Sequence, residues 1–183
     1  SGISEDVEED DNIWLLTRAR IPWLVIGLIG SFFGAEVIRQ FEDNIAVVPI
    51  LASFIPLITA TGGNVAIQSS SMVVQTLATK SVFQESNLIR LFKVIAVAIL
   101  NGILLAALAF ALSYLLRRDL DISMVVAASL SCVVLLASLS GTITPIILDK
   151  LGINPAAASG PFITTANDLL GLAVYFLVAY YML

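Results

Sequence analysis

The chain alternates long apolar runs with short polar breaks, at about residues 22–38, 45–78, 94–116, 124–148 and 162–183. A helix crossing a hydrocarbon core needs roughly 20 predominantly apolar residues, so the pattern predicts five transmembrane helices. Lipid offers the backbone no hydrogen-bond partner, and none of the runs shows the alternation of a membrane barrel strand. The expected fold is therefore an all-α, polytopic membrane domain over residues 13–183. Ile13 to Arg20 reads as a short interfacial helix with Trp14 at headgroup level, and Pro22 as the start of the first span. The 34 residues from Ile45 to Ala78 would measure about 51 Å as one helix, more than a membrane thickness. That run must tilt and protrude, or bend where Pro49, Pro56 or Gly62-Gly63 weaken it. Asn101-Gly102 reads as a helix-contact patch, Pro145 as a kink served by neighbouring hydroxyls, and Tyr180-Tyr181 as an aromatic belt.

Two departures from apolarity stand out. In the second run Thr61, Asn64, Gln68, Ser71 and Gln75 follow at steps of three or four and form one polar stripe on a helix. Amides facing lipid would lack partners, so the stripe should face another helix, another subunit or a water-filled path. The other departure is Asp168, the one acid well inside a span, in Thr164-Thr165-Ala166-Asn167-Asp168-Leu169-Leu170-Gly171. Its charge costs roughly 2.5–3.5 kcal/mol at a helix centre. No Lys or Arg falls within a predicted span, so a cation from solution is the natural counter-charge. Thr164, Asp168, Gly171 and Tyr175 share one helix face, and Asn64 and Asp168 fall at similar depth, so the stripe is expected to face the acid. Packing of a hydrogen-bonded Asp168 against threonines and amides is the alternative to an ion path. Two copies of Asp168 on a twofold axis would balance a divalent ion.

Composition narrows the chemistry. The 183 residues are 58% hydrophobic and include no histidine, which excludes imidazole metal sites, Ser-His or Cys-His nucleophiles and histidine proton relays. A bound cation must be held by oxygen, favouring hard ions such as Mg²⁺, Ca²⁺ or Mn²⁺. The net charge of −5 says little about partners, because six of fourteen acids crowd into the opening segment. Residues 1–12 read as a tag remnant and acidic linker, the point where a cytoplasmic portion has been removed. The lone Cys132 reads as a buried packing thiol, and Glu36 as a carboxylate paired with Arg39. Arg18, Arg20, Lys80, Arg90, Lys93 and Lys150 on one side against Arg39, Arg117 and Arg118 on the other place the amino end in the cytoplasm and the carboxyl end outside.

Pro56-Leu-Ile-Thr-Ala-Thr-Gly-Gly-Asn-Val-Ala-Ile-Gln68 with Leu77-Ala-Thr79, and Ala158-Ser-Gly-Pro-Phe-Ile-Thr-Thr-Ala-Asn-Asp168 with Gly171, resemble the two signature stretches of the MgtE magnesium channels and related solute-carrier transporters. The resemblance covers nearly the whole membrane part. It implies a homodimeric, Mg²⁺-selective channel of the plasma (inner) membrane, its pore lined by the second and fifth helices. Asp168, Asn64 and Thr164 match positions at the ion, and Ala60, Gly62, Gly63, Gln68, Thr165 and Gly171 fall among the pore-lining set. Mg²⁺ is the implied ion, with Mn²⁺ and Co²⁺ as further candidates. Family members also carry cytoplasmic Mg²⁺-sensing domains, expected to be missing from this chain.

Three other classes compete with a channel. A secondary carrier would use the same ligands with alternating access, but the short chain shows no internal duplication. A noncatalytic assembly subunit would use the stripe only to glue helices. An intramembrane aspartyl protease needs two acids at one site, and Asp149, beside Lys150 at an interface, is a poor mate for Asp168. The expectation is a transport protein, not an enzyme.

Overall fold

The computed structural model describes residues 12–78, 87–158 and 160–183. The acidic segment through Asp11 and Thr79, Lys80 and Glu85 lie outside the described residues, as do the side chains of Asn44, Arg90, Ala158 and Pro161. The described chain is all-helical: α1 (Ile13–Gln40), α2 (Glu42–Val47), a 3₁₀ segment (Pro49–Phe54), α3 (Ile55–Ala78), α4 (Asn87–Arg117), α5 (Leu120–Lys150), α6 (Pro155–Ala158) and α7 (Pro161–Met182). Five helical stretches among them are long and apolar enough to cross a membrane.

α1 begins earlier than the hydropathy pattern predicts. Asn12 caps it, its side-chain oxygen accepting from the Leu15 N–H at 2.9 Å, and the Thr17 hydroxyl donates to the Ile13 carbonyl. The interfacial helix and the first span are therefore one helix, and Pro22 lies inside it, where it removes one backbone donor without ending the helix. Near the other end Arg39 grips Glu36, its Nε donating to Oε1 and Oε2 at 3.0 and 2.9 Å, as the spacing predicts. The second run resolves into the bent alternative. The chain breaks at Val48, tightens into the 3₁₀ segment between Pro49 and Phe54, and enters α3 at Ile55. Gly62-Gly63 leaves α3 unbroken.

α5 is the hub of the bundle. It packs against α3, α4 and α7, while α1 packs chiefly on α7 and α4 chiefly on α5. Arg118 and Asp119 alone separate α4 from α5. Asp119 caps α5 by accepting from the Ile122 N–H at 3.0 Å, so the two helices run antiparallel as neighbours. Lipid tails are as apolar as leucine, so these contacts hold by close packing rather than by release of water. Val133 of α5 supplies the central wedge: a Cβ on Gly62 would lie 2.8 Å from its Cγ1, and one on Gly171 3.6 Å from the same methyl. A Cβ on Gly141 would overlap the Ala66 carbonyl, so α5 and α3 meet backbone to backbone. Gly102 faces Ser131 of α5, fulfilling its part of the contact patch.

Cys132 corrects one expectation. It is exposed, because Leu130, Val133, Val134 and Ala137 take the inward face of α5 and leave position 132 on the opposite side. Pro145 is buried within α5, but the nearby hydroxyls bond elsewhere than the carbonyl it frees: Thr142 donates to the Ser138 carbonyl, and Ser140 lies within bonding distance of the Ala137 carbonyl and of Asn167 on α7. Tyr180 and Tyr181 are exposed at the end of α7, ring against ring at 5.3 Å.

Candidate functional site

α3 presents two opposed faces. Ile58, Gly62, Gly63, Ala66, Ser70 and Val73 are buried against neighbouring helices, because glycine and alanine let the backbones close in. Asn64, Gln68, Ser71 and Gln75 fall on the opposite side and are exposed, with Thr61 half-buried. Within one chain the polar stripe thus stands apart from Asp168, which meets the neighbouring edge of α3. A Cβ on Gly63 would lie 4.0 Å from both Asp168 Oδ1 and the Thr164 methyl. Asn64, one residue on, sits about 100° further around the helix.

Asp168 is half-buried and opens into a cleft of about 250 Å³ between α1, α3 and α7, lined also by Ser31, Thr59 and Thr165. The cleft exists because α1 approaches α7 closely. A Cβ on Gly30 would overlap the Thr165 methyl, and one on Gly34 would lie 3.6 Å from Leu172 Cδ1. Gly30-Ser31-Phe32-Phe33-Gly34 is a small-xxx-small pattern, a sequence signal that points to this contact.

Next to Asp168, Asn167 is 3% exposed and bonded through both its amide nitrogen and its amide oxygen. Its Nδ2 donates to the Ile163 carbonyl at 2.9 Å, and its Oδ1 accepts from the Ser140 hydroxyl at 3.1 Å. This bond to α5 fixes the rotation of α7 and with it the direction of Asp168. By contrast the Asp168 carboxylate has no hydrogen bond or ion pair among the described residues, and no cluster of three or more His, Cys, Asp or Glu occurs among them.

The other sequence-derived candidates separate into groups. Thr164 borders the Gly63–Asp168 contact, and its hydroxyl donates to the Gly160 carbonyl at 3.2 Å. Thr165 lines the Asp168 cleft. Ala60 is exposed, one residue from Thr59. Gly62 and Gly171 seat Val133. Gln68 lines a different cavity of about 260 Å³ between α3, α4 and α5, together with Asn101, Ser138 and Thr142. Asn101, read as part of a contact patch, thus faces space rather than a neighbouring helix.

Taken together, these features define a multi-pass helical membrane protein with an intramembrane cleft that sets three hydroxyl side chains among glycine and aliphatic residues around a carboxylate that no base neutralises among the described residues. A family model for MgtE, described as a divalent cation transporter, matches residues 55–178. The chain belongs to the MgtE family. The magnesium transporter MgtE of Bacillus subtilis is 33% identical over 175 residues, covering 96% of this chain and 39% of the relative. That of Enterococcus faecalis is 36% identical over 179 residues, covering 95% and 39%. That of Thermus thermophilus is 32% identical over 167 residues, covering 91% and 36%. The chain therefore spans well under half the length of these relatives.

Proposed function

We propose that this chain is the ion-conducting membrane part of a magnesium transporter, working as a divalent-cation channel. Two copies pair about a twofold axis, and Asp168 from each binds a largely hydrated Mg²⁺. Asn64 and Thr164 lie at the ion, and α3 and α7, with Ala60, Gly63, Gln68 and Thr165, border its path. The observation that carries the reading is the Asp168 carboxylate, held in an intramembrane cleft with no base beside it among the described residues. Such a group normally faces a partner or water, and a cation supplies the missing charge. Mg²⁺ suits a site with one carboxylate per chain, since it sheds water reluctantly and uses one or two carboxylates while keeping several waters. Mn²⁺ and Co²⁺ are candidates for the same path.

The outward stripe of Asn64, Gln68 and Ser71 supports pairing, because a second copy or a water-filled path must cover polar groups that lipid cannot satisfy. The excess of bases on one side supports an amino end in the cytoplasm and a carboxyl end outside, in the plasma (inner) membrane. In the longer protein, cytoplasmic domains would regulate this part. Mg²⁺ uptake into proteoliposomes tests the reading. Asp168→Ala is expected to cripple uptake while dimer assembly persists, and an unaffected rate removes Asp168 from the mechanism.

A further inference from the structure

The cleft brings to Asp168 two hydroxyls outside the ligand set matched by the family resemblance, Ser31 from α1 and Thr59 from α3. Each commits its proton to its own helix. The Ser31 hydroxyl donates to the Gly27 carbonyl at 3.0 Å, and the Thr59 hydroxyl to the Ile55 carbonyl, also at 3.0 Å. A hydroxyl so engaged keeps its lone pairs and meets a ligand as an acceptor. Together with the Asp168 carboxylate, the cleft offers a set of acceptors drawn from three helices of one chain.

A bare divalent ion would find too few anionic ligands in such a set. A cation that keeps its water binds those waters through oxygen and turns their hydrogens outward, so its surface is a shell of donors. The sizes agree as well: six waters at roughly 30 Å³ each take up roughly 180 Å³, and the cleft holds about 250 Å³. We infer that Ser31 and Thr59 accept hydrogen bonds from the water shell of the cation at Asp168, which makes α1 part of the ion site. Gly30 and Gly34 bring α1 close enough to α7 for Ser31 to border the cleft. This inference rests on the reading of Asp168 as the cation's carboxylate.

The probe is hexaamminecobalt(III), which carries six fixed ligands, presents N–H donors outward and does not exchange them for protein oxygens. It is titrated against Mg²⁺ uptake by the whole chain in proteoliposomes, with dimer assembly checked by size-exclusion chromatography. The parent protein should be inhibited. Ser31→Ala and Thr59→Val should each weaken inhibition about tenfold, the loss of one hydrogen bond to a charged ligand, and Thr59→Ser should restore it. No inhibition of the parent overturns the water-shell contact. Unchanged inhibition of an assembled Ser31→Ala or Thr59→Val protein overturns the role of that hydroxyl. Asp168→Asn separates the two levels of argument. If it lowers uptake while both hydroxyl variants match the parent, only this inference fails; if it leaves uptake intact, the reading of Asp168 as the cation's carboxylate fails with it.

Discussion

The Tyr175 hydroxyl donates to the Leu51 carbonyl at 2.8 Å, joining two buried residues far apart in the chain. The bond falls where the chain passes from 3₁₀ to α-helix. The Ile55 N–H, which would serve Leu51 in a continuous α-helix, donates instead to the Ala52 carbonyl. Beside it, Phe41 stacks on Phe176 with ring centroids 5.0 Å apart. The entry of α3 is thus pinned to α7 about two turns from Asp168, and the pin helps set the register in which Thr59 and Gly63 face the acid.

Tyr175→Phe keeps the ring and deletes this donor. The Leu51 carbonyl then stays buried without its side-chain partner, a loss of about 1–2 kcal/mol. The thermal unfolding midpoint of the detergent-solubilised protein should fall accordingly. An unchanged midpoint would show that the 3₁₀ segment holds its place without the tyrosine.

Glycine substitutions should separate packing from ion chemistry. Gly141→Ala drives a methyl into the Ala66 carbonyl, a backbone atom that cannot swing away, and should cost about 1–3 kcal/mol. Gly63→Ala places its methyl at ordinary contact distance from Asp168 and Thr164, so its stability should stay near that of the parent. Denaturant titration of both variants checks the contrast; equal losses would contradict the helix spacing described above.

Long apolar runs made the five helices legible, because hydrophobic length is a direct demand of the bilayer. Asp168 was legible for the same reason, as a charge where the bilayer penalises charge. Where the sequence misled, local or tertiary detail decided. The cap at Asn12 extends α1 through Pro22, and the helical phase of α5 turns Cys132 outward. The polar stripe on α3 had the correct period, but period alone does not say which neighbour a face meets. The small residues Gly62, Gly63 and Ala66 won the contacts within the chain and left the amides outside. The bond of Asn167 beside Asp168 was not legible, since an asparagine bonded to a serine on another helix has no signature in one sequence.

Asn167 should act as a positioning residue. Asn167→Leu keeps similar bulk and removes both the bond from Ser140 and the bond to the Ile163 carbonyl. The expected cost is about 1–2 kcal/mol in stability. Because the bond to α5 fixes the azimuth of α7, half-saturation for Mg²⁺ uptake should also rise. A variant that loses stability but keeps the parent's half-saturation would confine Asn167 to packing.

Charge and reach at Asp168 can be tested apart. Asp168→Asn preserves the shape of the side chain but offers a dipole where the cation requires an anion. Losing a charged partner costs roughly 1.5–3 kcal/mol, so uptake at subsaturating Mg²⁺ should fall about 10- to 100-fold. Asp168→Glu keeps the charge and extends it by one methylene into a cleft that has room for it. If negative charge beside a hydrated ion is the requirement, Glu should retain much more uptake than Asn. If instead the carboxylate must touch the ion at one fixed distance, the two variants should fail alike. Initial rates of Mg²⁺ uptake for both variants, measured in the same proteoliposomes across a concentration series, distinguish these outcomes.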